Sequence, residues 1–469
     1  MARKAMLGPK LRRLRQDRGL TQAQMAAELG ISPSYLNLIE HNERPVTVGL
    51  LLKLGKAFDV DLQALSDDDE RKLVVALREV FADGALAQHE IKPEEVQELV
   101  AASPRAARAI VDLYRAFRSA REDAQALVLS TGTGRRITLP TEEARDFFHD
   151  RTNHFPTIED AAEQLWRAAA LDAEDLDRGL KAELARRGVS VAIDEDGEGS
   201  LRRYDATSGR LLLSGLLGRA GRVFHMAYHL GLTDAAPAID AIIAEAKLSS
   251  KETETLCRVG LVNYFAGAVL MPYAPFLAAA KAARYDIDVL GRRFEASFEQ
   301  VCHRLSTLQR PGAKGVPFYL VRVDIAGNVS KRFSAAGFHF SRFGGSCPRW
   351  IVFDAFRTPG LIRTQLARLP DGAAFFCIAR TVAKDSAGWH APASQLALGL
   401  GCDVAHAHEL VYADGLDLER TDAATEIGVG CRLCERANCR QRAFPPLQHR
   451  LMLDEKVKGA SAYPFKSPG

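Results

Sequence analysis

The sequence predicts a multidomain chain that is mainly α, with an α+β C-terminal part. Three observations carry that expectation. The length, 469 residues, is about three times the ~150 residues of an average domain. Apolar residues recur at helical spacing through most of the chain, and alternating, strand-like runs appear only after residue 316. Composition, at 47% apolar and 26% charged, is that of a globular protein and excludes disordered or collagen-like chains. The expected divisions are 1–66, 67–130, 139–312 and 313–469. No run approaches the ~18 apolar residues of a membrane helix, and no apolar stretch follows the basic segment Met1–Leu20. Neither a span nor a secretory signal is expected. A cytoplasmic location follows, where the eight cysteines are thiols or metal ligands rather than disulfides.

Net charge is only +3, but its distribution is uneven. Within the first 18 residues Arg3, Lys4, Lys10, Arg12, Arg13, Arg15 and Arg18 face one acid, Asp17. That is either a footprint for phosphate or a solvated basic tail. Residues 9–62 then read as four short helices. Pro9 opens the first, with Leu11, Leu14 and Leu20 on its apolar stripe. Thr21 caps the second, with Gln24 completing a capping box, and Met25, Ala26 and Leu29 face inward. Gly30 supplies the turn; Ser32 caps the third helix, Pro33 starts it, and Leu36 and Ile39 face the core. Val48, Leu51, Leu52, Leu54 and Phe58 form a fourth stripe. Helix, glycine turn and helix within about 20 residues is the helix-turn-helix pattern. The third helix offers Ser34, Tyr35 and Asn37 to base edges in a major groove, with Asn42 just beyond and Ser32 and Arg44 flanking. Gln22 sits where a phosphate is held. The segments LRQDRGLTQ (14–22), AAELGIS (26–32) and YLNLIE (35–40) resemble the phage-repressor, Cro-like or XRE domain, which binds double-stranded DNA.

In the connector, Leu73, Val74, Leu77, Val80 and Phe81 form one stripe and Ala106, Ile110, Leu113, Tyr114 and Phe117 another. Such helices either dimerise or pack within the monomer. Residues 132–136 read as a linker. Beyond it, residues 140–310 are again helical in period, and RVFHMAYHLG (222–231) places His225 and His229 on one helix face. With a Glu beside the first His this would be a zinc-peptidase motif, but Met226 stands there. Acids follow at Glu252 and Glu254, and none between Leu256 and Asn263. This part, with NYFAGAVLMP (263–272), resembles the ImmA/IrrE metallopeptidase fold without its base or an evident third ligand. It is expected to keep the fold and lack the chemistry.

Residues 318–333 read as a hairpin around a turn at Ala326–Asn328, with further strand-like runs at 350–353 and 374–379. The segment CRLCERANCRQRAFPP (431–446) holds Cys431, Cys434 and Cys439 as Cys-x2-Cys-x4-Cys among Arg432, Arg436, Arg440 and Arg442. Cationic neighbours favour the thiolate that binds metal. Three thiolates suit a [4Fe–4S] cluster, or zinc with a further ligand; Cys402, His406 and His449 are candidates for the last position. Metal-free buried or redox-sensing thiols are the alternative. Cys257, Cys302, Cys347 and Cys377 read as core residues.

Taken with CHRLSTLQR (302–310), FHFSRFGGSCPRW (338–350) and VYADG (411–415), that tail makes the whole chain resemble the short-chain fatty acyl-CoA regulators. The resemblance implies a DNA-binding transcription factor, not an enzyme, that senses an acyl-CoA, propionyl-CoA first, and controls acyl-CoA metabolism. It also implies an iron–sulfur centre at Cys431, Cys434 and Cys439. Coenzyme A phosphates need cations, so an acyl-CoA site is expected between the middle (Tyr264, Arg304, Arg310) and the α+β part (Lys331, Arg332, Arg342, Arg349). A homodimer on a near-palindromic site is expected. The competing readings are a redox or iron sensor switching through the cysteines, and a metallopeptidase acting on a partner repressor.

Overall fold

The computed structural model describes residues 8–465, apart from 42, 45, 59–67, 84–85, 87–88, 90, 130–139, 196–199, 339, 341–345, 385–389, 391–393, 421–422, 447–448 and 458. Asn42, Arg342 and the linker reading at 132–136 lie outside the described residues. The chain forms two compact units, Met1–Arg121 and Glu122–Gly469.

In the first unit α1 (Gly8–Asp17), α2 (Gln22–Leu29), α3 (Pro33–Glu40) and α4 (Val48–Phe58) enclose a small core. Leu11, Met25, Leu29, Leu36, Ile39, Leu50, Leu54 and Phe58 are buried in it. The expected local signals are all used. Thr21 and Gln24 form the capping box, Gly30 takes φ 63°, and the Ser32 hydroxyl accepts from the Tyr35 amide. The stripe of α4 includes Leu50, which the sequence reading did not name.

α5 (Asp68–Phe81) and α6 (Pro93–Ala102) precede α7 (Pro104–Leu129), one unbroken helix of 26 residues. α7 carries two apolar stripes. Ala107, Val111 and Tyr114 are buried, and the Tyr114 hydroxyl donates to Asp83 at 2.7 Å. The second stripe runs through Ala106, Ile110, Leu113 and Phe117 and faces outward, with Leu113 73% and Phe117 46% exposed. Tyr114, expected on that stripe, belongs to the first.

The second unit opens with α8 (Pro140–Asp150), α9 (Pro156–Ala168) and α10 (Leu176–Arg186). A small sheet follows, of β1 (Ser190–Asp194), β2 (Arg202–Asp205) and β3 (Arg210–Ser214) in the order β1-β3-β2, with β1 parallel to β3. The sequence predicts mainly helix here and no strand at these positions. These runs of four or five residues are too short for periodicity to separate strand from helix, and β2 is mostly polar. Next come α11 (Arg219–Asp234), α12 (Ala236–Ala246), α13 (Lys251–Leu270), α14 (Tyr273–Ala282), α15 (Ile287–Arg293) and α16 (Phe298–Leu305). No single helix among the described residues is long and apolar enough to cross a membrane. α13 and α14 pass that test only as a pair bent by 65°, and the apolar residues of α13 lie in the core.

The α+β part contributes β4 (Tyr319–Asp324), β5 (Val329–Ser334), the short α17 (Ile351–Asp354), β6 (Arg363–Arg368), β7 (Ala374–Lys384), β8 (Ser394–Asp403) and β9 (Thr425–Glu426). They form one sheet in the order β5-β4-β8-β7-β6-β9. β4 and β5 are the expected hairpin, turning at Gly327 with φ 86°. The run at 350–353, expected as a strand, is helical from Ile351. Trp350, Ile351 and Val352 are all buried there, a pattern without alternation.

Alternation along the sheet separates two cores. Leu320, Phe376, Ile378, Leu398, Leu400 and Cys402 enter the large core made with helices of residues 140–305. Tyr319, Val321, Val323, Phe375, Cys377 and Ala397 enter a second core with Cys347, Trp350, Val352 and Ile427. Gly401 lets Tyr319 lie across β8, since a Cβ there would come within 2.5 Å of its ring. The Tyr319 hydroxyl donates to Cys377 Sγ at 2.7 Å.

Candidate functional site

The nucleic-acid face is α3 and its approaches. Ser34 and Asn37 are exposed on α3, Tyr35 is half-buried against the core, and Arg44 is exposed beyond it. Ser32 acts first as the helix cap, so its hydroxyl already accepts a hydrogen bond. Behind this face lies Glu40, whose carboxylate is fully buried. It accepts from Arg15 Nε at 2.6 Å and Nη2 at 3.0 Å, and from Gln22 Nε2 at 2.8 Å. Gln22 Nε2 also donates to Asn37 Oδ1 at 3.2 Å. One buried carboxylate therefore fixes α1, the start of α2 and the recognition helix together, and it presets Asn37. Arg15, counted in the sequence among the cations of a phosphate footprint, instead holds Glu40, which the sequence did not single out; an acid at the C-terminal end of a helix that the dipole disfavours was the available signal.

Burial alone pushes the Glu40 carboxyl up, but hydrogen bonds from Arg15 and Gln22 and the charges of Arg15 and Arg12 outweigh it and hold it below its ordinary value. The resulting stabilisation is complete above the unfolded pKa of about 4.3 and is lost as pH falls through the lower folded value. Glu40→Gln is expected to destabilise the first unit by roughly 1.5–3 kcal/mol at pH 7 and to flatten its acid limb. Thermal unfolding between pH 7 and 3 checks this. A variant with the wild-type acid limb would show that Glu40 is not the responsible group.

The second site is the cysteine loop. Cys431 and Cys434 are buried and Cys439 is half-exposed. Arg442, 5% exposed, ties the loop by donating to the carbonyls of Cys431, Cys434 and Arg436. Arg436 donates to the carbonyls of Ile427 and Arg368, which fastens the loop to β6, and pairs with Glu426 at 2.7 Å. Arg432 lies over the Phe444 ring, 4.9 Å from its centroid. The arginines therefore act largely as ties. For Cys434 burial wins: its thiol is pushed up, against the pull of the Arg436 amide and the Arg442 and Arg436 charges. The expected lowering by cationic neighbours is present but smaller.

Cys402 does not belong to this site. It is fully buried at the end of β8 on the large-core face, while the loop's neighbours Cys347 and Ile427 lie in the other core. His406 pairs with Glu409 at 2.9 Å beyond β8. His449 is nearer the loop, stacked on Phe465 at 4.7 Å and within reach of the Glu435 and Arg442 charges. Cys347, expected as a core residue, is buried in the second core, and that position also brings it beside the loop. Burial pushes its thiol up, it accepts amide hydrogen bonds from Gly428 and Arg349, and Cys434 and Cys431 are close enough to bear on its ionisation. Gly428 sits under Cys434, where a Cβ would come within 2.9 Å of Sγ. Among the described residues no three His, Cys, Asp or Glu side chains are arranged around a single metal ion.

The expected acyl-CoA residues do not converge. Arg304 and Tyr264 are locked in a buried network: Arg304 Nη1 and Nη2 meet Glu159 Oε1 and Oε2 at 2.6 and 2.9 Å, its Nε donates to the Met271 carbonyl, and the Tyr264 hydroxyl donates to Glu159 at 2.6 Å. They are interior struts, because the paired charge is out of reach of solvent. Arg310 is partly exposed, pairs with Glu163 at 3.2 Å and covers the Tyr273 ring at 4.2 Å. On β5, Arg332 pairs with Glu142 at 2.6 Å, and exposed Lys331 reaches His303 at 3.5 Å. Arg349 is half-buried.

His225 and His229 lie on α11 under β2, as their spacing implied. Burial and the Arg202 charge push the His225 imidazole down to about 4, and the same causes with Arg187 lower His229. Neither Glu252 nor Glu254 forms a metal-ligating group with them.

Three stretches match described families: residues 11–65 a helix-turn-helix, 186–306 the IrrE N-terminal-like domain, and 307–463 the C-terminal domain of the short-chain fatty acyl coenzyme A regulators. The HTH-type transcriptional regulator RamB of Mycobacterium tuberculosis is 45% identical over 471 residues, covering 99% of both chains. The HTH-type transcriptional regulator PrpR of the same organism is 44% identical, covering 98% of this chain and 95% of its own. A propionyl-CoA carboxylase regulator of Cereibacter sphaeroides is 41% identical, covering 99% of each. A solved Mycobacterium tuberculosis transcriptional regulator superposes with a TM-score of 0.67 at 46% identity, over 69% of this chain and all of that one. With its helix-turn-helix head, its IrrE-like middle and its cysteine-bearing tail, the chain belongs to the short-chain fatty acyl coenzyme A regulator family of helix-turn-helix transcriptional regulators.

Proposed function

We propose that the protein is a cytoplasmic, dimeric regulator that binds operator DNA through α3 and responds to a short-chain acyl-CoA, propionyl-CoA first. The observation that carries the reading is the union on one chain of a preset recognition helix and the acyl-CoA regulator domain at 307–463. The relative named for propionyl-CoA carboxylase supports the choice of ligand. Exposed Lys331 and partly exposed Arg310 are assigned to the ligand's phosphates. An effector changes DNA occupancy only through different affinities for two states.

The cysteine loop is proposed to hold a [4Fe–4S] cluster through Cys431, Cys434, Cys439 and Cys347, with zinc as the competing occupant. The donor set fits such a cluster: four soft thiols, with amide hydrogen bonds on the sulfurs of Cys347 and Cys434. The role is taken to be structural or modulatory. The protein is taken not to be an enzyme, since Met226 replaces the base and the histidine pair lacks an acidic partner.

A native mass spectrum of anaerobically purified protein, with and without propionyl-CoA, tests these points together. The expected result is a dimer with one cluster mass and one acyl-CoA per subunit, the cluster lost in Cys347→Ser and kept in Cys402→Ser. A cluster without any acyl-CoA bound would favour the redox-sensor reading. Zinc in its place would make the tail a structural clip.

A further inference from the structure

The IrrE-like part keeps a histidine pair that the regulator reading leaves without a use. His225 and His229 project from one face of α11, and β2 lies against them. The Tyr204 ring packs on His229, with centroids 4.5 Å apart. Arg202 is held over the ring of Tyr228, 3.8 Å from its centroid, between the two histidines in helical register. His225 Nδ1, His229 Nδ1 and Arg202 Nη1 are all buried and have no protein partner. The acids nearby are engaged elsewhere. Glu183 takes Arg186 and Arg187, Asp234 takes Arg187, and Asp205 takes Ser208 and the Thr207 amide. The charges that bear on the pair are those of Arg202 and Arg187, so the local field is positive.

The fixed Arg202 and Arg187 charges repel a divalent cation at this histidine pair and favour an anion. We propose that this constellation is an anion site: His225, His229 and Arg202 receive a small oxyanion, a phosphoryl or carboxylate group, in place of a cation. Imidazole N–H and guanidinium N–H donors then gain the charged acceptor that they lack. The fold has in this sense exchanged a metal-binding cleft for one of opposite charge preference. The proposal is independent of where the acyl-CoA binds.

Isothermal titration of the full chain with inorganic phosphate and, separately, acetate tests it. The expected result is saturable binding that Arg202→Ala and the His225→Gln/His229→Gln double variant each weaken by about tenfold or more. Arg203→Ala, which removes the neighbouring arginine paired with Asp194, leaves it unchanged. Tighter binding of phosphate than acetate assigns the group as phosphoryl, and the reverse as carboxylate. An unchanged thermal midpoint in each variant shows that the fold is intact. If a variant does unfold, Arg202→Lys, which keeps the charge, is expected to retain most of the binding. No saturable heat with either anion, binding indifferent to Arg202, or stoichiometric zinc binding that depends on the histidines would each overturn the proposal.

Discussion

Arg304→Ala is expected to lower the thermal midpoint of the larger unit by roughly 6–10 °C, from a loss of 3–5 kcal/mol at about 2 °C per kcal/mol. Glu159 and Arg304 are 1% and 2% exposed and form a two-point ion pair. The loss measures what remains rather than what is removed. Without Arg304, a carboxylate stays in the core beside the Tyr264 hydroxyl with no cation. In the wild type, burial pushes the Glu159 carboxyl up, and the Arg304 charge and its hydrogen bonds bring it below its ordinary value. Its contribution is therefore complete above the unfolded pKa and lost as pH falls through the lower folded value. In the variant the sign reverses: burial raises the folded pKa, so the deficit is largest at neutral pH and shrinks as pH falls. Glu159→Gln/Arg304→Met should restore much of the wild-type midpoint, because a buried pair replaced as a whole costs little. A single variant melting within a degree of wild type at pH 7 would refute the argument.

The double variant Leu113→Glu/Phe117→Glu is expected to turn the proposed dimer into a monomer and to weaken operator binding by about 10²–10⁴-fold, the loss when two linked contacts become one. The exposed stripe of α7 continues in the sequence through Ala120, Ala124 and Leu127, so that seven apolar residues follow one another in alternating steps of four and three. That spacing matches the seam of a two-stranded coiled coil, and we propose that a second copy of the same helix completes it. Ala109 and Ala116, beside the seam, are small enough for close approach. Sedimentation and a gel-shift titration read both effects. Since Leu113 contributes little to its own chain's core, the monomer should remain folded. A variant that stays dimeric would move the interface elsewhere.

The head was legible because its signals are local: each cap, the Gly30 turn and each inward residue lie within a few positions of one another. The same holds for the hairpin at Gly327. What failed depended on distance along the chain. Arg304 looked like a ligand residue because nothing near it announces Glu159, 145 residues away. Cys402 looked available to the cysteine loop because the face of a sheet on which a cysteine falls is set by strand register, which a list of spacings does not contain. α7 was read as one stripe because two stripes, one position apart, overlap on a helical wheel. The strand expected at Trp350 failed for want of alternation.

The large core has a consequence for inheritance. Phe318, Leu320, Phe376 and Leu400, from the tail family's segment, lie in the same apolar cluster as Leu261, Phe265 and Leu305 from the IrrE-like segment. A recombination breakpoint between them would expose both halves of one interior, so the two segments can only be transmitted as a single cassette. The head's apolar cluster draws on residues 11–58 alone. Shuffling is therefore free to give this regulator a new operator, while its acyl-CoA-regulator tail and IrrE-like segment stay bound to a common descent.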